Sequence, residues 1–79
     1  MINQSFNALQ VSPKQIKGFI AIAQSLSFAQ ASEELHLSQP ALSIAIKNLE
    51  GVLGGSLFSR STRSLRLTPE GQAFLPVAK

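Results

Sequence analysis

Apolar residues recur along this chain at helical spacing, and polar punctuation divides them into short elements. Residues 1–11 show no clear period and are expected to form a flexible leader. Ser12-Pro13 is a good helix start, because serine can cap and proline suits the first helical position. Ile16, Phe19, Ile20, Ala23 and Leu26 then fall on one stripe, which predicts a first helix over about 13–25. Gly18 is tolerated inside it at some cost in propensity. Ser27 can cap a shorter second helix over about 28–35. Ala31 and Leu35 share one face of it with Phe28 alongside, while Gln30, Glu33 and Glu34 point outward. His36 and Leu37 belong to the turn that follows.

A third helix opens at Ser38 or Gln39. Residues before proline avoid the helical region, which puts the boundary near Gln39. The helix is expected to run to about Leu53 and stop at Gly54-Gly55. At about 100° per residue, Leu42, Ile46, Leu49 and Leu53 cluster within roughly one sixth of the circumference. Gln39, Pro40, Ser43, Ile44 and Lys47 lie on the flank and the opposite side. The helix thus buries one face and presents small polar groups and a lysine on the other. Such a helix directly after a short one suggests a DNA reader.

Beyond the glycines, Leu57-Phe58-Ser59-Arg60 and Leu65-Arg66-Leu67 flank the turn-like Ser61-Thr62-Arg63-Ser64. The alternation of Leu65, Arg66 and Leu67 is strand-like, so a small two-stranded hairpin is expected over about 57–67. Thr68-Pro69-Glu70 repeats the cap-plus-proline start and opens a fourth helix, with Ala73, Phe74 and Val77 as its apolar residues. Pro76 should remove one backbone bond and bend that helix. Phe19, Phe28, Phe58 and Phe74 are assigned to the core, with Phe58 and Phe74 tying hairpin and last helix to the body.

Composition narrows the function. At 79 residues and 44% hydrophobic, the chain has the makings of one small domain and not of a disordered tail. It contains no cysteine, which removes disulfides and Cys-based zinc sites and fits a reducing cytoplasm. No apolar run approaches the roughly 18 residues of a membrane span, and the first residues lack a signal-peptide pattern. No membrane partner is expected, and the expected location is cytoplasmic. The net charge of +3 is unevenly placed. Residues 1–55 balance Lys14, Lys17 and Lys47 against Glu33, Glu34 and Glu50, whereas residues 56–79 set Arg60, Arg63, Arg66 and Lys79 against Glu70 alone. Arginines spaced by three among serine and threonine suit phosphate contacts, or simply a solvated basic loop. There is no metal-ligand cluster, no nucleophile with a base and no phosphate-cradling glycine loop, so neither an enzyme nor a cofactor is expected. Glu33 and Glu34 read as a solvated face.

The residues Ser27-Phe28, Ala31, Leu35-His36-Leu37-Ser38-Gln39-Pro40-Ala41-Leu42-Ser43, Ile46, Leu49-Glu50, Leu53-Gly54, Leu57-Phe58, Arg60 and Leu67-Thr68-Pro69-Glu70-Gly71 resemble the DNA-binding domain of LysR-type transcriptional regulators. The resemblance covers about residues 12–79. It implies a mainly α fold, a winged helix-turn-helix over 12–67, followed over 68–79 by the start of a linker helix that pairs with its twin in a homodimer. It also implies that the third helix enters the major groove of double-stranded operator DNA and that the wing reaches the backbone and minor groove. An effector-binding domain, with its small-molecule inducer, is expected only in the remainder of a longer regulator.

The family motif puts base reading at Gln39, Pro40 and Ser43. Gln39 can pair with an adenine edge, Pro40 can touch a thymine methyl, and Ser43 can donate or accept at several bases. Ser38 and the first helical amides can hold a phosphate. Lys47, one turn past Ser43, can reach a phosphate or a guanine, and the Ser27 cap could also touch backbone. On the wing, Arg63 is the leading candidate, with Arg60 and Ser64 beside it, while Arg66 is either a contact or a solvated residue. Phe74 and Val77 are the candidates for the dimer surface. Ile44 departs from the family, which often has a polar residue after the motif serine. It is either a tolerated exposed side chain or a contact to thymine methyls. The competing function is a winged-helix protein-interaction module without DNA readout.

Overall fold

The computed structural model describes residues 11–61 and 64–79. Its order is α1 (Pro13–Ser25), α2 (Phe28–Leu35), α3 (Gln39–Leu53), β1 (Phe58–Arg60), β2 (Leu65–Leu67) and α4 (Pro69–Ala78). Each helix starts on a hydroxyl cap. The side-chain oxygens of Ser12, Ser27, Ser38 and Thr68 accept from the backbone N–H three residues on, at 3.2, 3.0, 3.2 and 3.0 Å. At Ser12 the cap is reciprocal, because the Gln15 side chain accepts from the Ser12 N–H at 3.3 Å. The first three helices end on a left-handed residue. Gly54 adopts it freely at φ 80°, whereas Leu26 (φ 53°) and His36 (φ 56°) hold it without that freedom. His36 thereby turns the chain from α2 into α3 within three residues. Helix α4 continues through Pro76 to Ala78.

The core gathers Phe19 and Ile22 of α1, Ala31 of α2, the Leu42-Ile46-Leu49-Leu53 ladder of α3, Leu57, Phe58 and Phe74. The ladder is buried as its spacing predicts. The stripe on α1 is not centred where expected. Gly18, Phe19, Ala21 and Ile22 are the buried residues, Ile16, Ile20 and Ala23 are half-buried, and Leu26 is exposed. Helix α1 packs against α2, α3 and α4 together, so its buried arc is broad and centres toward Gly18 and Ile22. Glycine and alanine carry little hydrophobic signal, and close packing uses them. A Cβ at Gly18 would lie 2.8 Å from Leu42 Cδ1.

The hairpin is antiparallel, with Phe58 opposite Leu67, Ser59 opposite Arg66 and Arg60 opposite Leu65. Its root is held from two sides. The Glu50 carboxylate of α3 accepts from the Leu57 N–H at 2.8 Å. From the α4 side, the Thr68 N–H donates to the Leu57 carbonyl at 3.0 Å and the Thr68 hydroxyl to the Ser56 carbonyl at 2.6 Å. Gly71 lies against this root, and a Cβ there would overlap the Leu57 carbonyl and crowd Leu67.

The glycines give a stability test with two signs. Gly71→Ala should destabilise the domain by about 1–3 kcal/mol, because backbone must move. Gly51→Ala, on the exposed side of α3 with nothing within 4 Å of its Cβ position, should stabilise by about 0.5–1 kcal/mol. Urea midpoints of the two variants read both effects.

Candidate nucleic-acid interface

The exposed side of α3 is built by the cap that starts it. Ser38 as N-cap puts Gln39 and Pro40 in the first turn, where proline loses no intrahelical bond. Burial of Leu42, Ile46 and Leu49 then forces the outward set into position. Gln39, Pro40, Lys47 and Ser38 are exposed, Ser43 is half-buried on the flank, and Ile44 is 60% exposed.

Two open clefts join this helix to the wing. Gln39, Pro40 and Ser43 line one together with Phe28 and Arg60. Ser43 and Lys47 line the other, again with Phe28 and Arg60, and with Glu50 and Ser56 at its far end. Arg60 is the hinge of the arrangement. Its guanidinium carbon stands 4.3 Å from the centre of the Phe28 ring, a cation–π contact. Phe28 in turn meets the edge of Phe58, with ring centres 6.1 Å apart. The stack fixes a long, otherwise mobile side chain at the mouth of both clefts.

Other expected site residues are distributed less tightly. Ser61 and Ser64 close the hairpin ladder. The Ser61 N–H donates to the Ser64 carbonyl at 2.9 Å, and the Ser64 N–H donates to the Ser61 hydroxyl at 3.1 Å. Arg63, the leading wing candidate, lies outside the described residues. Arg66 is exposed but shares the Ser59 face of the hairpin, opposite the face that carries Phe58 and Arg60. The structure therefore does not bring it together with Arg60.

One expected residue is corrected. Phe74, assigned to a dimer surface, is 1% exposed and sits with its ring centre 5.2 Å from that of Phe19. It occupies the core position also expected of it and exposes almost no surface for a second copy. Val77 is 69% exposed and stays available. Conversely, Phe28 was assigned only to the core, yet it is half-buried and carries Arg60. No sequence pattern signals that pairing, since the two residues lie 32 positions apart. Glu50, read as a charge and as part of the family motif but given no structural role, pins the hairpin root. A signal for it existed, because an acidic residue next to the buried Leu49 lies near the helix end where the wing begins.

Among the described residues no group of three His, Cys, Asp or Glu side chains could hold a metal ion, and no helix is long and apolar enough to cross a membrane.

Residues 13–72 match the family model described as bacterial regulatory helix-turn-helix protein, lysR family. The transcriptional regulator ShiR of Corynebacterium glutamicum is 50% identical over 64 residues, which is 81% of this chain and 22% of that protein. The chain thus spans about a fifth of the length of this curated relative. Among solved structures, oxidised OxyR of Corynebacterium glutamicum superposes with a TM-score of 0.83 at 38% identity, covering 99% of this chain and 23% of that one. The CbnR DNA-binding domain in complex with DNA superposes with a TM-score of 0.77 at 43% identity, covering 82% of this chain and 75% of that one.

The Glu50 tie can be tested alone. Glu50→Ala leaves the fully buried Leu57 with an unmet N–H and should cost about 1–3 kcal/mol. Amide exchange at Leu57 should quicken ahead of exchange in α1.

Proposed function

This chain belongs to the LysR family of bacterial regulatory helix-turn-helix proteins and is a sequence-specific DNA-binding domain, and we propose how its residues divide that work. Helix α3 lies in the major groove, where Gln39, Pro40 and Ser43 read base edges. Lys47, Arg60 and the Ser38 end of the helix hold phosphates alongside. The wing follows the backbone toward the minor groove, and Arg63 and Ser64 contribute to its contacts.

One observation carries this reading. Gln39, Pro40, Ser43 and Lys47 share their clefts with a guanidinium stacked on Phe28, so neutral base-reading groups stand beside a preorganised cation. That pairing matches the division of labour in DNA recognition, in which phosphate contacts position and base contacts specify. Planar arginine suits phosphate geometry, and stacking lowers the entropy lost on binding. Arg66, on the other hairpin face, is read as a solvated residue that adds to the general positive field.

The rest of the assignment follows from the family. Two copies pair through their fourth helices, with Val77 in the contact, so that two recognition helices meet half-sites about one DNA turn apart. The protein works in the cytoplasm and has no enzymatic step of its own. An inducer is a matter for the effector domain of the longer regulator.

In vitro selection of bound duplexes tests the central assignment. Enrichment of a defined site is expected, and Gln39→Ala should erase the preference at one base-pair position while leaving the salt dependence unchanged. A shallow salt dependence with no enriched site would instead favour a protein-interaction module. Val77→Glu should reduce the dimer fraction seen by analytical ultracentrifugation on half-site pairs, and an unchanged fraction would remove Val77 from the contact.

A further inference from the structure

Three large hydrophobic side chains are exposed among the described residues: Leu26, Ile44 and Val77. Leu26 borders the cleft beside Phe28 and Arg60, and Val77 lies at the end of α4. Ile44 alone stands on the outward face of α3, and at 60% exposure it is more open than Leu26 at 46%. Its neighbour one turn earlier is the exposed Pro40, and one turn later the exposed Lys47. From Gln39 to Asn48 this helix carries no acidic residue. Its outward surface is therefore an apolar ridge beside positive charge, which tolerates close approach of a polyanion.

Resting on the DNA-reading assignment above, we propose that Pro40 and Ile44 form a ridge that selects pyrimidine 5-methyl groups in the major groove. Of the groups exposed there, the thymine C5-methyl is the one that gains from an aliphatic neighbour, while the hydrogen-bonding edges gain nothing from it. Spacing agrees. Side chains at i and i+4 stand about 6 Å apart on a helix, and base pairs rise about 3.4 Å. The ridge thus addresses methyl groups one to two steps apart on the duplex. Gln39 and Ser43, nearer the wing, read hydrogen-bonding edges, and Ile44 lines none of the clefts they share with Arg60. Pro40 also lines one of those clefts, so the ridge runs from the cleft side of the helix to its outward face.

The test uses the site enriched by selection with this chain. Each thymine is replaced singly by uracil, which deletes the methyl and leaves the hydrogen-bonding edge unchanged. Replacement of a thymine that meets the ridge should weaken binding by about fourfold, the factor expected for burial of one methyl group, and one such position should answer to Ile44. Ile44→Ser, a change at an exposed position, should bind the thymine and uracil duplexes within twofold of each other at that position. Equal thymine-to-uracil ratios for the unmodified protein and Ile44→Ser at every position would overturn the ridge while leaving DNA reading intact. Failure of selection to enrich any site would overturn DNA reading and the ridge together.

Discussion

The contact between Phe58 and Phe19 organises the molecule. Their ring centres lie 5.5 Å apart in the core, and Phe19 also meets Phe74 at 5.2 Å. One aromatic residue of α1 thus fastens both the wing and the last helix to the helical body. A two-stranded hairpin is not stable by itself in water, so it depends on this anchorage. Alternation along the strand does the rest. With Phe58 turned inward, Arg60 two residues later must share that face. It therefore arrives over Phe28, at the edge of the recognition helix, and not in free solvent.

The wing is consequently less an appendage than a continuation of the core. Glu50 holds its root from α3 and Thr68 from α4, while Gly71 permits the close approach of α4 to Leu57. These ties use a charged group, a cap and a missing side chain, and the cap has a second duty. Thr68 starts α4 while latching Ser56. Such sharing is how a small domain with few buried residues keeps its recognition elements in register.

The proposed recognition divides along α3. One side faces the clefts shared with the wing, where polar groups and a stacked cation suit bases and phosphates. The outward side is almost uncharged and bears an isoleucine. The proposed division puts affinity in the wing and the backbone contacts and selectivity in the helix.

Much of this was legible along the chain. Caps at Ser12, Ser27, Ser38 and Thr68, the α3 ladder and the hairpin all express local rules: a hydroxyl meets free amides, and apolar residues repeat with the period of their element. Those rules act over three or four residues and need no knowledge of neighbours. The orientation of α1 was not legible, because its packing surface uses Gly18, whose lack of bulk matters only once Leu42 of α3 lies against it. The chain placed Phe74 in the core but also offered it to a dimer surface, since an apolar residue at helical spacing suits either; its contact with Phe19 came from the fold. The stacking of Arg60 on Phe28 and the separation of Arg66 from it came from the fold alone. Strand register and aromatic packing join residues far apart in sequence, and no local pattern carries that information.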